Sequence, residues 1–155
     1  MTDYKLILEQ AEAFVEGESH PLPVLANISA LIYGSVGRLN WAGFYLAEGG
    51  SLMLGPFQGR AACIRIAPGR GVCGAAVAQD VPQLVGDVRK FAGHIACDSA
   101  SRSELVIPIH HGGAVIGVLD LDSPETGRFS AEDLAGLVAV VKLLEEKCGW
   151  DRWAL

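Results

Sequence analysis

The residues best able to do chemistry in this chain of 155 are four cysteines, Cys63, Cys73, Cys97 and Cys148. Gaps of 10, 24 and 51 residues separate them, and no C-x-x-C occurs, which speaks against a structural zinc site. Cys97 has the richest surroundings. His94 stands three residues before it, Asp98 beside it, Ser99 and Ser101 just after, and Glu104 seven residues on. A thiol among polar and acidic groups, on a loop that feeds an apolar strand, is how a reactive cysteine is held. Cys73 lies in Gly69-Arg70-Gly71-Val72-Cys73-Gly74, and a helix starting there would lower its thiol pKa. Those glycines resemble a phosphate loop only loosely. They lack the Lys-Ser/Thr of a P-loop, and the dinucleotide pattern needs a parallel strand before it.

Carboxyls form a second group. Asp120 and Asp122 are two apart in an apolar strand, so they share a face. They either reach solvent near Ser123 or are buried at a cost unless paired. If Glu104 on the neighbouring strand faces the same side, three carboxyls converge, and crowding keeps one protonated near neutral pH. Trp41, Gly43 and Tyr45 also alternate onto one face. Either both rings are core and Gly43 is a bulge, or Gly43 leaves a gap where a small ligand lies against aromatic walls. His94-x-x-Cys97 and His110-His111 make a weak ligand set, with the latter pair falling in a turn, and no metal is expected. His94 better suits ordering its loop or supporting the thiolate.

These groups need rigid elements under them. Leu6, Ile7, Ala11, Phe14 and Val15 have helical spacing within residues 3–17, and Leu25, Ile28, Leu31 and Ile32 within 23–35. The period then becomes two. Strands are expected over Asn40–Ala47, Ser51–Leu54, Ala61–Ile66, Ser103–Ile109 and Ala114–Asp122, with a short helix near Val72–Ala78. Gly49-Gly50 and the stretch His110–Gly113 supply hairpin connections. Ser130 with Asp133 three residues on is a capping-box spacing for a last helix that buries Leu134, Leu137, Val138, Val141 and Leu144. The pattern predicts an α+β fold, helices on a mostly antiparallel sheet, in one domain over residues 1–155. Helices take 3–36, sheet and loops 38–122, and the last helix 130–148.

Composition sets the setting. Hydrophobic residues make up 50% and charged ones 19%, which describes a packed domain. Twelve Lys and Arg against 18 Asp and Glu give −6, which disfavours nucleic acid and anionic membranes as partners. No secretory pattern opens the chain, so a cytoplasmic location is expected, where structural disulfides are uncommon.

Five blocks in register carry a resemblance: Asn40–Tyr45, Leu54–Gly59 with Ala62-Cys63, Gly69–Gly74, Gly93–Glu104 and Val118–Pro124. Together they resemble the GAF-domain free methionine-(R)-sulfoxide reductases. Ala61 and Ala92 stand where prolines are common in relatives. The resemblance implies a central sheet of about six strands flanked by helices. It also implies reduction of free L-methionine-(R)-sulfoxide without a bound cofactor, recycling by thioredoxin, and a homodimer. It makes Cys97 the attacking thiol, Cys63 its resolving partner and Cys73 a second resolving or relay thiol. Glu104, with Asp120, would serve the sulfoxide oxygen and Asp122 the substrate ammonium. Trp41 and Tyr45 would wall the methyl end, and backbone amides of His94, Ile95 and Ala96 would hold the carboxylate. The alternative is a stand-alone GAF module that binds a metabolite or senses oxidants without turnover. Cys148 lies outside every block and reads as a bystander, and the tail tryptophans as packing.

Overall fold

A computed structural model describes residues 1–153. Helix α1 (Tyr4–Gly17) starts at Asp3, whose carboxylate accepts the Leu6 amide, and α2 (Pro21–Val36) places proline in its first turn, where no amide is needed. Strands β1 (Trp41–Glu48) and β2 (Ser51–Gly59) form the first hairpin, and β3 (Arg65–Ile66) is brief. Helix α3 (Gly71–Gln79) and β4 (Gln83–Val85) precede a long loop. Strands β5 (Ser103–His111) and β6 (Ala114–Ser123) form the second hairpin, and α4 (Ala131–Lys147) closes the fold. The capping box is formed: Ser130 accepts from the Asp133 amide, and the Asp133 carboxylate accepts from the Ser130 amide. No described helix is long and apolar enough to cross a membrane.

All six strands make one antiparallel sheet in the order β3-β2-β1-β6-β5-β4. Alternation gives it two faces. Ala42, Phe44, Leu46, Leu105, Ile107, Leu119 and Leu121 point to one, where α1, α2 and α4 bury Ile7, Ala11, Ile28, Ile32, Leu137 and Leu144 in the larger core. Trp41, Tyr45, Val106 and Val118 point to the other, where α3 brings Val72, Cys73 and Ala76 into a smaller core.

Several expectations change. Leu6 is 48% exposed, because the buried stripe of α1 is Ile7, Ala11 and Val15 at four-residue steps. Leu134 and Val138 are only partly buried. Strand β2 runs on to Gly59 instead of stopping at Leu54, since a bulge at Gly55-Pro56 opposite Phe44 absorbs the proline. The segment Ala61–Ile64 is irregular, so β3 keeps only Arg65–Ile66 of the expected strand. Its chain turns so that Cys63 can reach across to Cys97, and the Tyr45 hydroxyl donates to the Cys63 carbonyl at 2.8 Å. The second hairpin turns on Gly112-Gly113, both at positive φ, so His110 and His111 end β5 rather than sit in the turn. His110 lies between Asp80 and Glu145, and His111 beside Asp151.

The gap at Gly43 is filled. A Cβ there would lie 2.7 Å from the Cα of Phe57, whose ring stacks on Trp41 with centroids 5.2 Å apart. Gly43→Ala should therefore cost about 3 kcal/mol through overpacking between β1 and β2, measured by urea unfolding. A loss within a few tenths of a kcal/mol would contradict that packing. The tail behaves as expected at Trp150, which is buried and donates to the Leu144 carbonyl at 3.0 Å. The side chain of Trp153 lies outside the described residues. Cys148 is buried in the larger core, far from the chemistry-bearing face, with its thiol pushed up to about 11 by burial.

Candidate active site

Strand register brings the predicted groups together. Glu104 faces Asp122, which faces Trp41, in one row across β5, β6 and β1. Val106, Asp120 and Gly43 form the next row, and Pro108, Val118 and Tyr45 the one after. Paired residues in an antiparallel sheet share a face, so all three carboxyls and both rings line one side. Over them lie α3 and the two loops that carry Cys63 and Cys97. The cavity between them, partly open to solvent, is about 50 Å³ and is lined by Trp41, Tyr45, Cys73, His94, Ile95, Cys97, Glu104, Asp120 and Asp122 among others.

Cys63 and Cys97 are joined by a disulfide, with Cα atoms 5.4 Å apart. This is the pairing the resemblance implied. Cys73 is a free, buried thiol whose Sγ lies 3.9 Å from Glu104 Oε2. Cys73 does occupy the first turn of α3, but its thiol is pushed up, not down. Burial dominates, and the charges of Asp120, Glu104 and Asp122 add to it, so one helix terminus is outweighed. The expected lowering is therefore corrected. Gly74 explains part of the glycine-rich motif: a Cβ there would meet the Gly69 backbone at 2.7 Å, so α3 folds tightly onto its own leading turn.

The carboxyls are crowded, with Glu104 and Asp120 buried and Asp122 half-buried. Glu104 is 7% exposed and Asp120 5%. Burial, then the charges of Asp120 and Asp122, hold the Glu104 pKa well above the ordinary range. Asp120 is raised to about 6, chiefly by burial, and Asp122 is raised by burial and by Asp120. Three negative charges in so small a space are unfavourable. The arrangement therefore keeps a proton on Glu104, and it would welcome a cationic group beside Asp122. Donor atoms of Cys73, Glu104 and Asp120 all fall within 4.8 Å of one another, the one trio among the described residues close enough to share a cation. No histidine belongs to it.

Of the loop residues, His94 and Ile95 line the cavity, whereas Ala96 is exposed and does not. The His94 amide donates to the Phe91 carbonyl at 3.2 Å, which removes it as a free donor. Burial lowers the His94 pKa, so its ring is neutral at pH 7. Sequence reasoning missed Asn40, Asp98 and Ser101 as a unit. Asn40 Nδ2 donates to Asp98 Oδ2 and Ser101 Oγ, each at 3.0 Å, tying β1 to the Cys97 loop. The Asn40-Trp41 dipeptide at the strand start was visible, but nothing in spacing shows which loop an asparagine will reach. Three buried polar atoms of the described residues have no partner: Asn40 Oδ1, Trp41 Nε1 and Asp120 Oδ1. All three sit in this pocket or beside it, and such orphans are what a bound polar molecule would satisfy.

A six-stranded antiparallel sheet with helices on one face and a loop-roofed pocket on the other is a GAF domain, and the GAF domain profile matches residues 25–145. The free methionine-R-sulfoxide reductase of Escherichia coli is 54% identical over 134 residues, 86% of this chain and 81% of that protein. A reduced-form fRMsr structure from Staphylococcus aureus has 48% identity and a TM-score of 0.92, covering 95% of this chain and 96% of that one. A structure of free methionine-R-sulfoxide reductase from Neisseria meningitidis in complex with its substrate has 42% identity and a TM-score of 0.92, covering 98% and 92%. The chain belongs to the free methionine-R-sulfoxide reductase family of GAF domains.

Proposed function

We propose that this chain, acting as one GAF unit, reduces free L-methionine-(R)-sulfoxide to L-methionine. The observation that carries the reading is the Cys63–Cys97 bridge, one end of which lies in a pocket walled by Glu104, Asp120 and Asp122. In the reduced protein the Cys97 thiolate attacks the sulfoxide sulfur while Glu104, assisted by Asp120, gives its proton to the departing oxygen. The protonated oxygen passes to Cys97 Sγ as the bond between Cys97 and the substrate sulfur breaks, so methionine leaves as the thioether and Cys97 becomes a sulfenic acid. Cys63 then attacks the Cys97 sulfur, water departs, and the bridge forms. The two electrons that reduce the sulfoxide come from the two thiols.

Asp122 takes the substrate ammonium, which in turn holds that aspartate ionised. Trp41 and Tyr45 wall the methyl end, with the unpartnered Trp41 Nε1 available to a polar group. The Ile95 amide, which donates to no described acceptor and belongs to a cavity-lining residue, is left for the carboxylate, whereas Ala96 lies outside the cavity wall. Buried Cys73 keeps its proton and serves as a relay thiol for the bridge rather than as first nucleophile. A thioredoxin-type dithiol donor reopens the bridge, in a cytoplasmic setting. Exposed Leu22 and Tyr33 on α2 offer apolar surface for a homodimer.

The test is coupled turnover with thioredoxin, its reductase and NADPH. NADPH should be consumed with free methionine-(R)-sulfoxide and hardly at all with the (S) epimer. Equal rates on both epimers, or none on either, would contradict the assignment.

A further inference from the structure

The bridge has two ends, and only one of them belongs to the pocket wall. Cys97 lines the pocket and Cys63 does not. Next to Cys63, Ile64 is 72% exposed, by far the most open large aliphatic side chain in the body of the described fold. Its loop is not loose. The Leu54 amide donates to the Ile64 carbonyl at 2.9 Å, and the Tyr45 hydroxyl holds the Cys63 carbonyl at 2.8 Å. The isoleucine is therefore presented outward from a held backbone beside the disulfide.

The chain on either side of it is basic. Arg60, Arg65 and Arg70 are all exposed, and no Asp or Glu occurs between Glu48 and Asp80 on a chain whose net charge is −6. Arg65 leans on Glu48 at 3.2 Å, in an exposed pair that is easily exchanged for another acid. An apolar centre with a cationic rim is an interface in miniature, and it suits a partner with an apolar contact surface edged by carboxylates.

We propose that Ile64 and its arginine rim are the docking surface for the dithiol protein that reopens the bridge, and that this partner attacks Cys63. The proposal rests on the reductase reading, which requires such a donor. Thiol–disulfide exchange displaces one sulfur as the other is attacked. Attack at Cys97 would require the partner's thiol to enter the pocket. Cys63 is half-buried like Cys97 but lies outside the pocket wall, so attack there comes from the side of the exposed Ile64. The donor thiolate bonds to Cys63 Sγ, the Cys63–Cys97 bond breaks, and Cys97 is released as a thiolate inside the pocket where the next sulfoxide must bind. The donor's second thiol, losing its proton, then attacks its own sulfur in the mixed disulfide. Cys63 leaves as a thiolate, and the donor carries away the two electrons' worth of oxidation as its own disulfide.

The experiment uses the oxidised full chain and a thioredoxin whose second, resolving cysteine is replaced by serine. Peptide mass mapping should find the mixed disulfide at Cys63, with Cys97 open to alkylation. In steady state with intact thioredoxin, Ile64→Glu should raise the KM for thioredoxin about tenfold. Turnover driven by dithiothreitol should stay within about twofold, since a small thiol needs no docking surface. Ile64→Leu should restore the thioredoxin KM. A mixed disulfide at Cys97 overturns the proposal. So does absence of a trapped species while dithiothreitol still opens the bridge, or an unchanged KM in Ile64→Glu. Trapping is read without any sulfoxide, so failure to form methionine with dithiothreitol counts against the reductase reading alone.

Discussion

Cys97→Ser is expected to form no methionine from free methionine-(R)-sulfoxide, in single or multiple turnover, while folding normally. Cys97 is the bridge sulfur that lines the pocket, and serine at the same place is neither a thiolate nor able to hold oxygen as a sulfenic acid. The companion variant Cys63→Ser separates the two roles. Without added reductant it should yield about one equivalent of methionine per protein and then stop, because an oxidised Cys97, captured by Cys73 or not, has no donor to return it to the thiolate. Quantifying methionine by mass spectrometry after rapid mixing checks both. Repeated turnover in Cys97→Ser would move the chemistry to Cys73, which burial and three nearby carboxyls make a poor nucleophile.

Glu104→Gln is expected to slow the sulfoxide step by about 10²–10⁴-fold, the usual worth of a positioned acid. Its pH profile should change as well. In the parent protein the rate should fall on the alkaline side as Glu104 loses its proton, at a pH well above the ordinary carboxyl range. That descending limb should vanish in the glutamine variant. Stability should move the other way. A carboxyl whose folded pKa is raised binds more protons folded than unfolded, so stability falls as pH rises from about 4.3 through the folded pKa. Glutamine carries no such penalty. The melting temperature of Glu104→Gln relative to the parent should thus climb between pH 5 and pH 9. A parallel decline of both proteins would mean that Glu104 is not the protonated member of the cluster.

Much of this arrangement is legible in the sequence because its causes are local. Alternation alone places Asp120 with Asp122 and Trp41 with Tyr45, and the Ser130-Asp133 spacing marks the start of α4. The Cys63–Cys97 pairing came from the family blocks rather than from spacing. What spacing could not supply are effects set by distant neighbours. Phe57 fills the space at Gly43 only because β2 continues past a bulge that Gly55-Pro56 disguises as an end. Cys73 loses the benefit of its helix terminus because β5 and β6 set carboxyls against it. Asn40 reaches Asp98 and Ser101 across more than fifty residues of chain. Residues 49–79 carry arginines and no acid, which is plain in the sequence, but its meaning depends on where Cys63 stands.

The division of the sheet into two unequal cores bears on how the molecule moves. The larger core clamps α1, α2 and α4 to one face, while the roof over the other face is two loops, one short helix and the Cys63–Cys97 tie. Cooperative openings follow such seams. Amides of the roof can therefore exchange with solvent through a partial opening that leaves β1, β5, β6 and the three large helices protected. On the proposed cycle, each reduction would remove the covalent strap across that roof and each turnover would replace it. On that cycle the protein would alternate between a laced and an unlaced lid above the larger, more firmly packed core.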